Sequence, residues 1–146
     1  MPVPWVFVLT YLVGAALETT RAGAVRSDIA AVSTITGAAL FAAGALIAGW
    51  ALVIFHRAQT TTVPGRSSKQ LVTWGPYRVT RNPMYVGLAV AYLGEAGILK
   101  HVWPVVLLPL TIAYLNWTVI PVEEARLTED FRDEYEQYRA RVRRWF

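Results

Sequence analysis

Leu71–Gly87 reads LVTWGPYRVTRNPMYVG, and it interrupts a chain that is otherwise largely apolar. Seventeen residues carry three aromatics, two prolines, two glycines and two arginines. Gly75-Pro76 marks one turn, and Asn82-Pro83 marks a second with a helix starting at the proline. Arg78 and Arg81 fall between these turns, close to Tyr77 and Tyr85. Two readings fit: a membrane-edge loop with interfacial aromatics and cytoplasmic arginines, or a short rigid loop that holds a charged small molecule.

Outward from this stretch the sequence reads as membrane helices. Of 146 residues, 55% are hydrophobic and 16% charged, with a mean hydropathy of +0.37, too apolar for an ordinary soluble domain of this size. One domain, residues 1–146, is expected. Spans are expected at about 3–18, 29–55, 83–99 and 102–122, giving an all-α integral membrane bundle of four transmembrane helices. The first run lacks a basic n-region and more spans follow it, so it is read as a retained helix rather than a signal peptide. The second is rich in small residues at four-residue spacing, such as Ala39/Ala43 and Ala45/Gly49, a pattern that lets helices approach closely in lipid. It serves internal packing and a homo-oligomer equally. Gln59–Gln70, with its threonine run and Pro64-Gly65, is expected to be irregular. Lys100-His101 is expected to form a tight turn, making the third and fourth spans antiparallel neighbours, and the fourth is expected to end at Pro121.

Residues 123–145 change character. Leu127, Phe131, Tyr135, Tyr138, Val142 and Trp145 recur three or four residues apart, one apolar stripe on a charged, amphipathic cytoplasmic helix. This tail is expected to lie on the membrane surface or pack over the loops. Eleven of the fourteen Lys and Arg fall in the long loop and the tail. The positive-inside rule then puts both termini in the cytoplasm. The formal charge of +4 segregates by loop, which is a topology signal and not a nucleic-acid patch. The absence of cysteine excludes a disulfide framework and a cysteine nucleophile, and His56 and His101 form no ligand cluster, so no metal site is expected.

The topology brings the Leu71–Gly87 loop and Glu123-Glu124 to one rim. The paired glutamates read either as first-turn acids favoured by the helix dipole or as carboxylates facing Arg78 and Arg81 across a pocket. Glu95 is an ionisable residue within a span and hence a functional candidate, but it stands about 18 Å along the helix from Pro83. Asn116 reads equally as an interhelical hydrogen bond or a pocket residue.

Together, GPYR-x-x-RNPMY-x-G at Gly75–Gly87 and EE-x-x-L-x-x-x-F-x-x-x-Y-x-x-Y at Glu123–Tyr138 resemble the isoprenylcysteine carboxyl methyltransferase family and the related membrane phospholipid N-methyltransferases. The resemblance covers residues 60–145. It implies a small membrane enzyme that uses S-adenosylmethionine from the cytoplasm, on a lipidic or prenylated acceptor arriving from the bilayer; a chain this short without cysteines is compatible with a bacterial inner membrane. The resemblance implies a cofactor pocket lined by Gly75, Pro76, Tyr77, Arg81, Pro83, Tyr85, Glu123 and Glu124; by charge and position Arg78 is expected to join them, and Arg81, Asn82 and Glu124 are expected at catalytic positions. The family commonly has histidine where this chain has Asn82, and asparagine cannot act as a base near neutral pH. The residue types suit the ligand. A guanidinium holds a carboxylate bidentately, a glutamate holds an ammonium or ribose, and Trp74, Tyr77 and Tyr85 offer rings to adenine or a sulfonium. Two other classes fit the same features: a nicotinamide-dependent membrane reductase, and a non-catalytic assembly module built on the second span.

Overall fold

The computed structural model describes residues 4–20, 27–58 and 70–146, and these are helical apart from turns and one extended stretch. Five helices follow in order: α1 (Pro4–Glu18), α2 (Ser27–Arg57), α3 (Pro83–Leu99), α4 (Trp103–Tyr114) and α5 (Ile120–Arg141). The Gln59–Gln70 irregular loop lies outside the described residues except at Gln70, as do Arg21 and Arg26.

Helix α3 starts where Asn82-Pro83 predicts. Pro83 occupies the first turn, where its missing N–H costs no hydrogen bond. The helix stops at Lys100, which takes a left-handed conformation at φ 58°, and the His101 N–H closes the turn on the Ala96 carbonyl at 2.9 Å. At the same end Glu18 Oε2 accepts from the Val102 and Trp103 N–H groups at 2.7 and 3.1 Å. A carboxylate thus caps the N-terminus of α4, where the helix dipole favours negative charge.

The helices pair as α2 with α3 and α1 with α4, both antiparallel. Gly14 meets Pro104, and the Thr111 hydroxyl donates to the Thr10 hydroxyl at 2.9 Å. Between α2 and α3, Gly37 lies against Gly94 and Gly44 against Gly87. A Cβ built at Gly44 would fall 2.3 Å from the Ala91 nitrogen, and one at Gly94 would fall 2.3 Å from the Phe41 nitrogen. No side chain fits there, so the two backbones touch. The seam therefore uses glycines seven residues apart. Ala39, Ala43, Ala45 and Gly49 lie on the exposed side of α2, and the four-residue spacing points away from the seam.

Phe7, Tyr11, Tyr85, Tyr92, Ala96, Leu108, Leu115 and Ile120 form the core that joins α1, α3, α4 and α5. Outward, Ile35, Leu46, Trp50, Leu110 and Trp117 are exposed. Two helical segments, Val32–Arg57 and Trp103–Arg141, are long and apolar enough to cross a membrane. Only 17% and 22% of their most apolar windows are buried, unlike core helices of a soluble protein. Helices α1 and α3 are apolar but shorter, at 15 and 17 residues.

The fourth apolar run does not end at Pro121. A π-helical turn, Leu115–Val119, carries α4 directly into α5, so one helical rod runs from Trp103 past Pro121 to a break at Arg132. A proline in a helix lacks a donor and crowds the carbonyl four residues earlier, and the wider π turn just before Pro121 is where that conflict is absorbed. The tail helix also differs from expectation. It breaks at Arg132 (φ 43°, ψ −116°), with no glycine or proline to mark the site, and it ends at Arg141 rather than 145. Its stripe packs over the loop: Tyr135 and Tyr138 bury Leu71, flanked by Leu127, Phe131 and Val142. Leu71 and Val72 alternate along an extended strand of chain, so Val72 faces the other way, onto Ala51, Ile54, Ala58 and Tyr77. The loop is thereby clamped between the end of α2 and the tail helix.

Candidate functional site

The rim of the bundle gathers four elements: the loop, the first turn of α3, the start of α5 and the segment Val142–Phe146. Gly75 opens a 3-10 turn, Gly75–Arg78, at φ 62°, a conformation that favours glycine. Pro76 and Tyr77 are buried. Tyr77 packs on Phe55 with ring centroids 5.4 Å apart, and its carbonyl accepts from the buried Tyr138 hydroxyl at 2.8 Å. Burial pushes the Tyr77 phenol well above its ordinary range, with the Tyr138 and Glu123 charges adding to it. Trp74 is partly exposed ahead of the turn, and Arg78 is exposed at its end.

The glutamate pair divides its partners. Glu123 Oε1 accepts from the Tyr85 hydroxyl at 2.7 Å. Burial raises the Glu123 carboxyl above 4.5, the Tyr85 hydrogen bond offsets part of this, and the neighbouring Glu124 charge adds to it. Glu124 sits between two guanidiniums. Arg81 Nη2 donates to Oε1 at 2.8 Å, while Arg144 donates from Nε to Oε1 at 3.1 Å and from Nη2 to Oε2. Arg81 also donates through Nη1 to the carbonyls of Arg139 and Val142, both at 3.2 Å. Its Nε is buried and has no acceptor, the one unmet need in the cluster. A buried N–H without a partner is costly, and Arg81 and Arg144 bring two guanidiniums to the glutamate pair.

The structure therefore brings together Arg81, Asn82, Tyr85, Glu123 and Glu124, with Tyr77 close by. The second guanidinium facing Glu124 is Arg144 rather than Arg78. Asn82 precedes α3 without capping it, and its Nδ2 donates to the Arg144 carbonyl at 3.0 Å. Pro83 is fully buried beneath it. Glu95 stands toward the opposite end of α3. Asn116 makes hydrogen bonds between elements at the rim: its Oδ1 accepts from Arg144 Nη1 at 3.2 Å and from Trp145 Nε1 at 3.1 Å. Sequence reasoning missed Arg144 and Trp145 because residues 142–145 continue the helical stripe, while the chain there is extended from Val142.

Asn116 and Trp145 also end an open, mainly apolar cleft of about 680 Å³ along α4, lined by Leu93, Leu108, Pro109 and Ile112. Its size is in the range of small-molecule sites, roughly 300–1,000 Å³.

A helical bundle with bilayer-type outer faces and a charged cluster at one rim is the architecture of a small membrane protein with an interfacial site. The family profile of phospholipid methyltransferases matches residues 32–134, and the chain belongs to that family. It is 32% identical over 84 residues to the nickel-cobalt-cadmium resistance protein of Alcaligenes xylosoxydans xylosoxydans, an alignment covering 58% of this chain and 39% of that protein. It is 39% identical over 72 residues to the protein-S-isoprenylcysteine O-methyltransferase of Schizosaccharomyces pombe, covering 49% and 30%. The chain thus spans well under half the length of these relatives. No solved structure matches it significantly.

Proposed function

We propose that the protein transfers a methyl group from S-adenosylmethionine to a lipidic acceptor at the cytoplasmic face of a membrane. In this reading α1, α2, α3 and the apolar part of the rod through Val122 are four spans, and both termini are cytoplasmic. The acceptor is an isoprenylated-cysteine-like carboxylate or thiol, or a phospholipid amine. The observation that carries the reading is the Arg81–Glu124–Arg144 cluster beside Glu123 and Tyr85, with the orphaned Arg81 Nε at its centre.

The residues fit such a donor. Arg81 Nε lacks an acceptor and two guanidiniums stand together there, which suits the carboxylate of an amino-acid moiety. Tyr85 holds one oxygen of Glu123, and the carboxylate would balance an ammonium or sulfonium. Gly75, Pro76, Tyr77 and Pro83 shape the rigid wall, and Tyr77 and Tyr85 bring aromatic rings to it. Arg78 and Trp74 belong to its exposed margin. When bound, the donor supplies an already activated methyl group. The chain's part is then alignment and exclusion of water. The cleft would admit the acceptor's hydrocarbon sideways from the bilayer, ending at Asn116. Asn82 cannot take a proton. Its place in the reaction is to hold the Arg144 backbone, while Arg81 and Glu124 set the charge around the reacting groups. An amine acceptor would lose its proton to Glu123, the carboxyl whose affinity for protons is raised.

The test is calorimetric titration of S-adenosylhomocysteine into the solubilised protein, with the Glu123→Gln/Glu124→Gln double variant as control. Binding to wild type and not to the variant is expected. A folded wild type that does not bind would overturn the proposal, and binding of NADPH instead would favour a reductase.

A further inference from the structure

The segment Val142–Phe146 spends its hydrogen bonds on the candidate pocket. Leaving α5 at Val142, whose backbone is extended, it crosses the Thr80–Asn82 corner. The carbonyls of its first three residues are taken. Val142 accepts from Arg81 Nη1 at 3.2 Å, Arg143 from the Arg81 N–H at 3.0 Å, and Arg144 from the Thr80 hydroxyl and Asn82 Nδ2 at 2.9 and 3.0 Å. Its side chains follow the same rule: Arg144 clasps Glu124 and reaches Asn116, and Trp145 donates to Asn116.

With the segment in place, both oxygens of Glu124 are occupied and both terminal nitrogens of Arg81 are engaged. Only Arg81 Nε is left open. A zwitterionic amino-acid moiety would compete for these same groups, its carboxylate for the guanidiniums and its ammonium for the glutamate pair. The apolar hold on the segment is modest. Val142 and Trp145 are half-buried and Phe146 is exposed. Charge-assisted bonds of this kind are strong yet exchangeable for ligand or water.

We infer that Val142–Phe146 is a latch across the pocket, closed by the Arg144 clasp on Glu124, and that it opens for the pocket to exchange its contents. Arg144 is a positioning residue: it acts through Glu124 and the strap. The exchange rests on the methyltransferase reading; the opening does not.

Two readouts separate them. The first is segment exchange, the hydrogen exchange of the Arg81 N–H that the segment's Arg143 carbonyl holds at 3.0 Å, in wild type, Arg144→Ala, Arg144→Lys and Trp145→Phe. The second is the dissociation rate of S-adenosylhomocysteine in the same set. Losing the clasp removes at least one charge-assisted bond, so Arg144→Ala is expected to speed both exchange of the segment and ligand release by about tenfold or more. Arg144→Lys, which keeps the charge without the fork, is expected to fall between, and Trp145→Phe to give a smaller increase. Unchanged segment exchange in a folded Arg144→Ala would refute the latch whether or not the ligand binds. Faster segment exchange with an unchanged dissociation rate would refute its role in exchange. If wild type binds no ligand while Arg144→Ala still frees the segment, the latch stands and the methyltransferase reading falls.

Discussion

Gly44 and Gly87 face each other with nothing between their backbones: a Cβ added to Gly44 would sit 2.5 Å from the Gly87 carbonyl oxygen, and one added to Gly87 would sit 2.7 Å from that of Gly44. Contacts that short force the helices apart, because backbone cannot rotate away as a side chain can. The seam matters for function, since α3 begins at Pro83 and carries Tyr85 to Glu123.

Gly44→Val and Gly87→Val are each expected to cost at least about 2 kcal/mol of stability. Gly49→Ala, where nothing lies within 4 Å, is expected to leave stability unchanged or slightly raised. Thermal midpoints in one detergent decide this, and a Gly49→Ala loss equal to that of Gly44→Val would discredit the seam.

Glu123 predicts a pH dependence. Its folded pKa lies above the ordinary 4.5 because the carboxyl is buried. The protonated form is thus favoured by the fold. That contribution is complete below the unfolded pKa and is lost as pH rises through the folded value. Glu123→Gln keeps an acceptor for the Tyr85 hydroxyl and cannot ionise. Its midpoint is expected to gain on that of wild type as pH climbs from 4.5 through the folded pKa. A difference that stays constant over that range, or shrinks, would show that Glu123 is not held in a charge-disfavouring site.

Tyr138→Phe removes the donor to the Tyr77 carbonyl, a buried bond of 2.8 Å. The orphaned carbonyl raises the expected cost to about 1–3 kcal/mol. The 3-10 turn should loosen with it, so slowed or unchanged hydrogen exchange at residues 75–79 in the variant would contradict this account.

Much of this was legible from the chain, for physical reasons that differ by element. Asn82-Pro83 and the run to Leu99 are strong signals because proline sets the first turn and Lys100 ends the periodic stretch; the observed helix, Pro83–Leu99, agrees to the residue. The convergence of Arg81 with the glutamate pair followed from topology and charge. Three features were not legible. The glycine seam is spaced by seven, and Ala39/Ala43 imitates it on the wrong face. The π turn has no residue signature of its own, so Pro121 read as an end. The strap continues the tail's apolar spacing through Val142 and Trp145, and periodicity alone cannot tell a helix from a chain that turns back on long-range hydrogen bonds. Arg144 was hidden by that ambiguity.

The π turn at Leu115–Val119 has one more consequence. A helix advances about 100° per residue, and a π turn adds roughly one residue to a single turn. Upstream, the rod presents Leu108 and Thr111 to α1 and α3; downstream, it presents Glu123 and Glu124 to the loop. The two faces are phased separately, and the surplus residue sets the offset. Ordinary α-helix over the same five residues would swing both carboxylates about a quarter-turn away from Tyr85 and Arg81. Deleting one residue between Leu115 and Val119 has the opposite consequence: the turn can close as plain α-helix, and the apolar face above it and the acidic face below it keep their relation.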